Sequence, residues 1–168
     1  MNNNNKLLAF ISLVLSLSII FAGTNVYAET TFEKIKRTGK VTVGTEAAFP
    51  PFEFVEDGKI VGYGKDILDY IIADMGVELN QLDLPWQGIL PGVLAGKFDF
   101  VATSVSIRAE RAKKYAFTVP IAEGTNWVMK RSGDSSIMSP DDLSGKVVCT
   151  QLASGSEKAT KELSLILI

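Results

Sequence analysis

The sequence predicts an α/β protein with a mainly parallel sheet and helices on both faces, and three observations support this fold class. Apolar runs that favour strands lie at residues 41–46, 77–84 and 98–107. Segments with apolar residues at helical spacing follow the first two runs, at residues 65–76 and 86–97. A helix between successive strands requires a crossover connection, so the strands are expected to be parallel.

The predicted helices end at glycines, which adopt the left-handed backbone conformation of a helix stop without strain. The first helix is predicted at residues 30–40 and ends at Gly39. Gly76 and Gly96 close the next two helices, the second of which is predicted in spite of its internal Pro91.

Residues 47–64 are predicted to form a loop followed by a hairpin. Pro50 and Pro51 stop regular structure near its beginning. The dipeptide Asp57-Gly58 lies between two apolar runs and is a turn signal.

A second α/β unit is predicted to begin near residue 126, after two short extended pieces around Gly124. Residues 147–163 are predicted to form a strand, a turn and a helix. The apolar tail "LSLILI" follows that helix and is expected to close nothing. The second unit is therefore expected to be incomplete, because so short a segment cannot bury a core of its own.

The N-terminal residues 1–28 are predicted to be a signal peptide. The segment "MNNNNK" carries one cation, Lys6, and an apolar run follows it. Val26 and Ala28 occupy the small-residue positions of a cleavage site, so cleavage is expected after Ala28. A retained transmembrane helix is the alternative, but the polar "GTNVYAET" without a basic flank favours cleavage.

Composition excludes several classes of function. The net charge of −2 provides no basic patch for nucleic acid. The sequence contains no histidine, which removes Ser-His and Cys-His catalysis and the usual zinc sites, and no cofactor or metal is predicted. Its one cysteine, Cys149, lies inside a predicted buried strand and is expected to be a structural thiol. A secreted chain without a cysteine at its cleavage site is expected to be periplasmic.

Polar and aromatic side chains follow the predicted strands, where parallel sheets bind ligands outside their carboxyl ends. These candidate ligand-binding residues are Glu46, Phe49, Trp86, Ser104, Ser106, Arg111, Gln151, Ser154 and Gly155. An arginine offers a planar fork of donors to a carboxylate. Backbone N–H groups at a helix N-terminus donate further hydrogen bonds to the same carboxylate. A carboxylate receives an ammonium group, and aromatic faces hold a carbon skeleton or a cation. The combination suits a zwitterionic amino acid.

Four stretches, "GTEAAFPPFEF", "VGYGKDI", "WQGILPGVLAGKFDFVATSVSIRAERAKKYAFTVP" and "GKVVCTQLASGSEKA", resemble the family 3 periplasmic solute-binding proteins. The resemblance covers nearly all of residues 40–163. It implies a binding protein that delivers polar amino acids to the permease of an ABC importer in the inner membrane. Gly64 departs from the family, which often has aspartate there.

The resemblance further implies a periplasmic binding protein-like (type II) clamp, in which two hinged lobes close on one ligand. Lobe 1 is expected at residues 29–120 and the hinge crossing at residues 121–126. Residues 127–168 would be the start of a truncated lobe 2, since most of the family's second lobe is missing.

Matching residues in the first lobe take their roles from the family. Arg111 resembles the arginine that binds the ligand α-carboxylate. Ser104 and Ser106 resemble positions that contact the α-carboxylate and α-amino groups. Phe49 and Trp86 resemble the aromatic pair that sandwiches the ligand side chain.

Glu46 resembles an acidic position that meets an amino or amide group in some members. Gln151 resembles a second-lobe position that varies with the ligand, and Ser154 and Gly155 resemble second-lobe contacts at a helix N-terminus. Ser154 also forms an S-x-x-E capping box with Glu157, which is compatible with the ligand role.

Simpler interpretations remain open for several of these residues. The simplest interpretation of Glu46 is an acidic loop residue exposed to solvent. Phe49 and Trp86 have the alternative of being ordinary core aromatics. Arg111 has the alternative of a weak surface ion pair with Glu110.

The leading hypothesis is a binding protein without catalysis, and two alternatives are carried beside it. Periplasmic cyclohexadienyl (prephenate or arogenate) dehydratases resemble the same family, but such an enzyme needs a general acid, for which Glu46 is the only candidate in the predicted crevice. The sensor module of a membrane receptor or cell-wall lytic enzyme also resembles this family and requires a further domain.

Overall fold

The computed structural model describes residues 28–163 and the backbone of residues 166–167. Apart from Ala28, the predicted signal peptide lies outside the described residues. None of the helices within the described ranges has the length and apolar character needed to cross a bilayer. The chain divides into two compact units, Met1–Lys34 and Ile35–Ile168, and the sheets and the site described below belong to the second unit.

Helices, strands and one 3₁₀ helix follow one another in the order predicted for an α/β chain. In chain order they are α1 (Thr31–Thr38), β1 (Lys40–Thr45), β2 (Ala48–Phe49), β3 (Glu53–Glu56), β4 (Lys59–Val61), α2 (Tyr63–Met75), β5 (Glu78–Asp83), α3 (Trp86–Leu94), β6 (Phe100–Val101), α4 (Ala109–Ala112), the 3₁₀ helix (Pro140–Leu143), β7 (Val147–Val148), α5 (Gly155–Glu162) and β8 (Ile166–Leu167).

The main sheet is parallel, as predicted, with β1 between β5 and β6. Val41 and Val43 of β1 are fully buried on one face of this sheet. They pack in one apolar cluster with Leu68 and Ile72 of α2. Because α2 spaces these residues four apart, its buried stripe lies along the strand and fixes the helix on the sheet.

The opposite face of β1 receives the ring of Phe98, which is 4% exposed. A Cβ added to Gly44 of β1 would lie 2.6 Å from this ring, and one added to Gly92 of α3 would also lie 2.6 Å from it. Phe98 is therefore wedged between a strand and a helix that both lack side chains at the contact. Helices thus cover both faces of the main sheet, as the sequence predicts.

The hairpin predicted by Asp57-Gly58 is present as the antiparallel sheet β2–β3–β4. Both turn residues have positive φ, 49° for Asp57 and 74° for Gly58. A two-residue turn with positive φ at both positions matches the right-handed twist of its strands. The hairpin places Glu53, on β3, inside the protein with 2% exposure.

The third strand is much shorter than predicted: residues 98–107 contribute only β6, Phe100–Val101. The N–H of Ala102 still bonds the carbonyl of Gly44, at 2.9 Å. Beyond it, the N–H of Ser104 bonds the Glu53 carboxylate, and that of Val105 bonds the carbonyl of Thr103. The strand ends because a carboxylate and a local turn take over the donors that a neighbouring strand would need.

The extended pieces predicted around Gly124 are absent as strands, since residues 117–131 form no helix or strand. The predicted strand, turn and helix of the second unit are present as β7 and α5. Two expectations about this unit are wrong. Cys149 lies beyond the end of β7 and is exposed, and the tail does pair, because β8 runs parallel to β7.

The wedge at Phe98 gives a stability test. Gly92→Ala places a methyl group against a ring that cannot move into solvent, so we expect a loss of about 1–3 kcal/mol in the free energy of unfolding. Gly88→Ala in the same helix is the control, because a Cβ there has no atom within 4 Å. Alanine is the better helix former, so the control is expected to gain about 0.5–1 kcal/mol. Urea unfolding of both variants measures the difference, and equal effects would contradict the wedge.

Candidate functional site

Polar and aromatic side chains meet outside the carboxyl ends of the main sheet and beside the turn before α5, and we call this place the crevice. It is defined by two groups of residues in contact: Arg111 with Trp86 and Ala153, and Glu46 with Gln151. Each residue comes from a segment that follows a strand. The parallel strands therefore bring together residues that are more than a hundred positions apart in the sequence.

Arg111 is the centre of the crevice. Its Cζ atom lies 5.3 Å from the centroid of the Trp86 ring, within cation–π range. Its Nη1 donates to the carbonyl of Ser106 at 3.1 Å, and its Nη2 donates to the carbonyl of Ala153 at 3.5 Å. The predicted surface pair with Glu110 is absent, since Glu110 instead bonds Lys158 Nζ at 2.9 Å.

Burial lowers the pKa of Arg111, and the positive charge of Arg108 lowers it further. Both effects make the charged form of the guanidinium less favourable, because burial removes part of its hydration and a like charge lies nearby. Arginine remains protonated in spite of this, so the crevice contains a partly desolvated cation held by two carbonyl groups and an aromatic face. A carboxylate would satisfy that cation better than neutral carbonyls do.

Glu46 and Gln151 face each other across the crevice. The Gln151 amide donates from Nε2 to Glu46 Oε1 at 2.6 Å. Glu46 is half-buried, so it is more than the solvated loop acid of the simplest interpretation. The pair joins the segment after β1 to the segment after β7.

The turn before α5 supplies the remaining second-unit contacts. Ser154 is the N-cap of α5, and its Oγ accepts from the N–H of Glu157 at 3.1 Å. The Glu157 carboxylate accepts from the N–H of Ala153 rather than from that of Ser154, at 2.6 Å. The predicted capping box is therefore present in a shifted form. Gly155, the first residue of α5, lies against Arg108, and a Cβ there would be 1.9 Å from Arg108 Nη2.

Ser104 and Ser106 are engaged within the protein. The Oγ of Ser104 donates to Glu53 Oε2 at 3.0 Å, and its N–H donates to Glu53 Oε1. Thr103 Oγ1 donates to the same Oε1 at 2.6 Å. The carbonyl of Ser106 accepts from Arg111, and its side chain is exposed.

Glu53 was missed by the sequence analysis, although it determines the backbone that holds Ser104 and leads to Arg111. An acidic residue between two phenylalanines in "PFEF" was the available signal, since an acid within an apolar strand is unusual. Gly64 leaves room for this carboxylate, because a Cβ there would lie 2.6 Å from Glu53 Oε2. A side chain at position 64 would displace it.

The predicted aromatic pair is only partly brought together. Trp86 is 9% exposed and contacts Arg111, whereas Phe49 is 49% exposed. Phe49 stacks on Phe52, with ring centroids 5.4 Å apart, and Phe52 meets Tyr63 edge-on at 6.1 Å. Within the described ranges no ring contact joins Phe49 to Trp86, so the two form separate walls.

An apolar groove of about 890 Å³ lies beside the crevice. It is lined by residues of α3, the segment after β6 and residues 114–124, including Ser104 and Ser106. Arg111, Trp86, Glu46 and Gln151 are absent from its lining. The groove is therefore distinct from the charged crevice, which has the chemistry for a zwitterion.

Comparison with known proteins gives consistent results. The family model described as bacterial extracellular solute-binding proteins, family 3, matches residues 41–165. The L-cystine-binding protein of Escherichia coli strain K12 is 33% identical over 127 residues, which are 74% of this chain and 48% of that protein. A probable histidine-binding protein of Campylobacter jejuni is 30% identical and covers 72% of this chain and 47% of that protein. The chain spans about half the length of these curated relatives.

Solved structures resemble the chain at the level of fold. An ancestral amino acid-binding protein, described as a precursor of cyclohexadienyl dehydratase, has a TM-score of 0.76 and 31% identity, and the match covers 83% of this chain and 64% of that one. An ancestral arginine-binding protein bound to glutamine has a TM-score of 0.74 and 36% identity. The match covers 77% of this chain and 59% of that one.

The buried carboxylate of Glu53 gives a second stability test. Glu53→Ala leaves the donors of Thr103 and Ser104 without their acceptor, so we expect unfolding to become easier by about 1–3 kcal/mol. Glu56→Ala is the matched control, because Glu56 ends the same strand and is exposed. That control is expected to stay within about 0.5 kcal/mol of the wild type. Similar urea midpoints for the two variants would show that the Glu53 contacts carry no net stability.

Proposed function

Because the chain belongs to the bacterial extracellular solute-binding proteins of family 3, we propose that it binds a free amino acid in the crevice. It has the type II periplasmic binding-protein fold and covers part of it. The named relatives are binding proteins for cystine and histidine rather than enzymes. The proposal for this chain is the substrate-binding component of an ABC importer for polar amino acids.

The environment of Arg111 is the single observation that carries the proposal. A partly desolvated guanidinium, held by two carbonyls and covered by Trp86, is prepared to exchange neutral acceptors for a carboxylate. Charge-assisted bonds of this kind are about twice as strong as neutral ones. The ligand α-carboxylate is therefore assigned to Arg111.

The other crevice residues fit the remaining parts of an amino acid. Glu46 supplies a carboxylate for an ammonium or amide group, and Gln151 already demonstrates such a contact. Trp86 and Phe49 supply apolar walls for the carbon skeleton. Ser154 and Gly155 are assigned to the ligand as contacts at the N-terminus of α5, whose partial positive charge favours an anion. The N–H of Ser154 is bonded to the carbonyl of Gln151 at 3.3 Å, so the N–H of Gly155 is the donor assigned to the ligand. Ser104 is assigned to the ligand through its carbonyl group, because Glu53 holds both its hydroxyl and its N–H. Ser106 is assigned through its exposed hydroxyl, because its carbonyl is bonded to Arg111.

Membership of an extracellular family supports a location outside the inner membrane. We assign this chain to the periplasm, with a signal peptide at residues 1–28 that is cleaved after Ala28. Its partner is the permease of an importer, which it meets transiently after closing on a ligand. In this arrangement residues 121–126 serve as the hinge crossing between the two lobes.

Dehydratase activity is the second candidate because of the likeness to the ancestral precursor. That neighbour is itself an amino acid-binding protein, so the likeness favours binding. Catalysis would need a proton donor beside the ligand. Glu46 is occupied by Gln151, and Glu53 is buried against Thr103 and Ser104.

The assignment of Arg111 is tested by binding. Arg111→Ala is expected to weaken amino-acid binding by about 2–5 kcal/mol, since the ligand carboxylate would lose its partner in a partly desolvated site. Arg111→Lys is expected to bind poorly as well, because a point charge lacks the guanidinium fork. Isothermal titration calorimetry on the 168-residue chain, after a thermal-shift screen of the standard amino acids, measures both.

Lys113→Ala is the matched control, because it removes an exposed cation from the same segment. It is expected to leave affinity unchanged. Unaltered affinity in a folded Arg111→Ala variant would reject the carboxylate assignment. The absence of a thermal shift with every amino acid would reject the proposed function itself.

A further inference from the structure

A second arginine, Arg108, lies three residues before Arg111 and has no role in the site as described so far. Its Nε atom is buried and has no hydrogen-bond partner among the described residues. Burying part of a guanidinium without a partner is costly, because the lost hydration is not replaced. Since Nε itself has almost no accessible surface, the guanidinium would gain from an anion bound at its Nη groups.

The carboxylates near Arg108 are all committed elsewhere. Glu110 bonds Lys158 Nζ at 2.9 Å. Glu157 accepts from the N–H of Ala153 and pairs with Lys161. In the part of the chain that the structure describes, no acidic side chain forms an ion pair with Arg108. Its charge is therefore not balanced within the protein.

The position of Arg108 adds a second, independent observation. Its guanidinium lies directly against Gly155, where even a Cβ would be 2.5 Å from Cζ. Gly155 begins α5, an eight-residue helix whose N-terminus carries partial positive charge. Two positive features in contact repel each other unless an anion lies close to both. The absence of a side chain at Gly155 keeps this space open to the guanidinium.

The charges of the crevice, taken together with Arg108, give the chemical class of that anion. Arg108 and Arg111 contribute two positive charges and Glu46 contributes one negative charge, while Glu157 pairs with Lys161 and Glu110 pairs with Lys158. An amino acid with one ammonium and two carboxylates would balance this set, with the ammonium on Glu46 and one carboxylate on each arginine. A neutral or cationic amino acid would leave Arg108 without a partner.

On this basis we propose that Arg108 is a specificity-determining residue that binds a second carboxylate, so that the site selects acidic amino acids such as glutamate and aspartate. The proposal rests on the proposed function, because it takes Arg111 as the partner of the α-carboxylate. It goes further by assigning the ligand class, which differs from the cystine and histidine named for the two curated relatives.

A comparison of glutamate with glutamine isolates the second charge. The two ligands differ only in the side-chain carboxylate of glutamate, which is a neutral amide in glutamine. The wild-type chain is expected to bind glutamate more tightly than glutamine by isothermal titration calorimetry. Arg108→Gln is expected to weaken glutamate by roughly 30-fold and glutamine by less than about threefold, since only glutamate loses a charged partner. Lys113→Gln removes an exposed cation five positions away and is expected to change neither affinity.

A second variant tests the same contact without removing the charge. Arg108→Lys keeps the positive charge but lacks the planar fork of the guanidinium, so glutamate binding is expected to weaken less than in Arg108→Gln, while glutamine binding changes by less than about threefold. Circular dichroism and the thermal midpoint confirm that each variant is folded before binding is interpreted.

The outcomes separate this proposal from the one it rests on. If the wild type prefers glutamine or a cationic amino acid, or if Arg108→Gln weakens glutamate and glutamine equally, the second-carboxylate role is overturned and amino-acid binding stands. If the wild type binds no amino acid, the proposed function is overturned together with it. A loss of glutamate affinity that is selective in both variants, and larger in Arg108→Gln than in Arg108→Lys, supports the role.

Discussion

The carboxylate of Glu53 ties the hairpin sheet to the end of β6, and the crevice depends on that connection. It receives the hydroxyls of Thr103 and Ser104 together with the backbone N–H of Ser104. These bonds end the strand and direct the chain towards α4, which carries Arg111. A buried acid with several donors is fixed in place, because each donor it releases would be left without water or protein to bond. The geometry of the candidate site is thus set by a residue that lies outside it.

Local sequence patterns predicted the parts of the fold that local forces determine. The buried stripe of α2, the glycine stop at Gly76 and the Asp57-Gly58 turn all depend on neighbours within a few residues. The length of β6 does not. Its early end depends on Glu53, about fifty positions away. The pattern of apolar and polar residues at 98–107 gives no indication of that partner.

The candidate site was predictable in outline for a similar reason. Residues after the carboxyl ends of parallel strands were expected to lie together, and the structure places Arg111 against Trp86 and Glu46 against Gln151. Their role in binding a ligand stays a prediction. The sequence could not show the partner of each side chain once there. The distinction between an exposed arginine and Arg108 against Gly155 depends on three-dimensional packing alone.

The two tryptophans occupy opposite environments, and this makes the chain its own optical reporter. Trp86 is 9% exposed beneath a guanidinium, whereas Trp127, in the segment after the proposed hinge, is 88% exposed. Indole emission moves to longer wavelength as water gains access to the ring. Trp86 in the crevice is therefore expected to emit at shorter wavelength than Trp127 in the connecting segment. Changes at the two places can be followed separately by emission wavelength, without an added label.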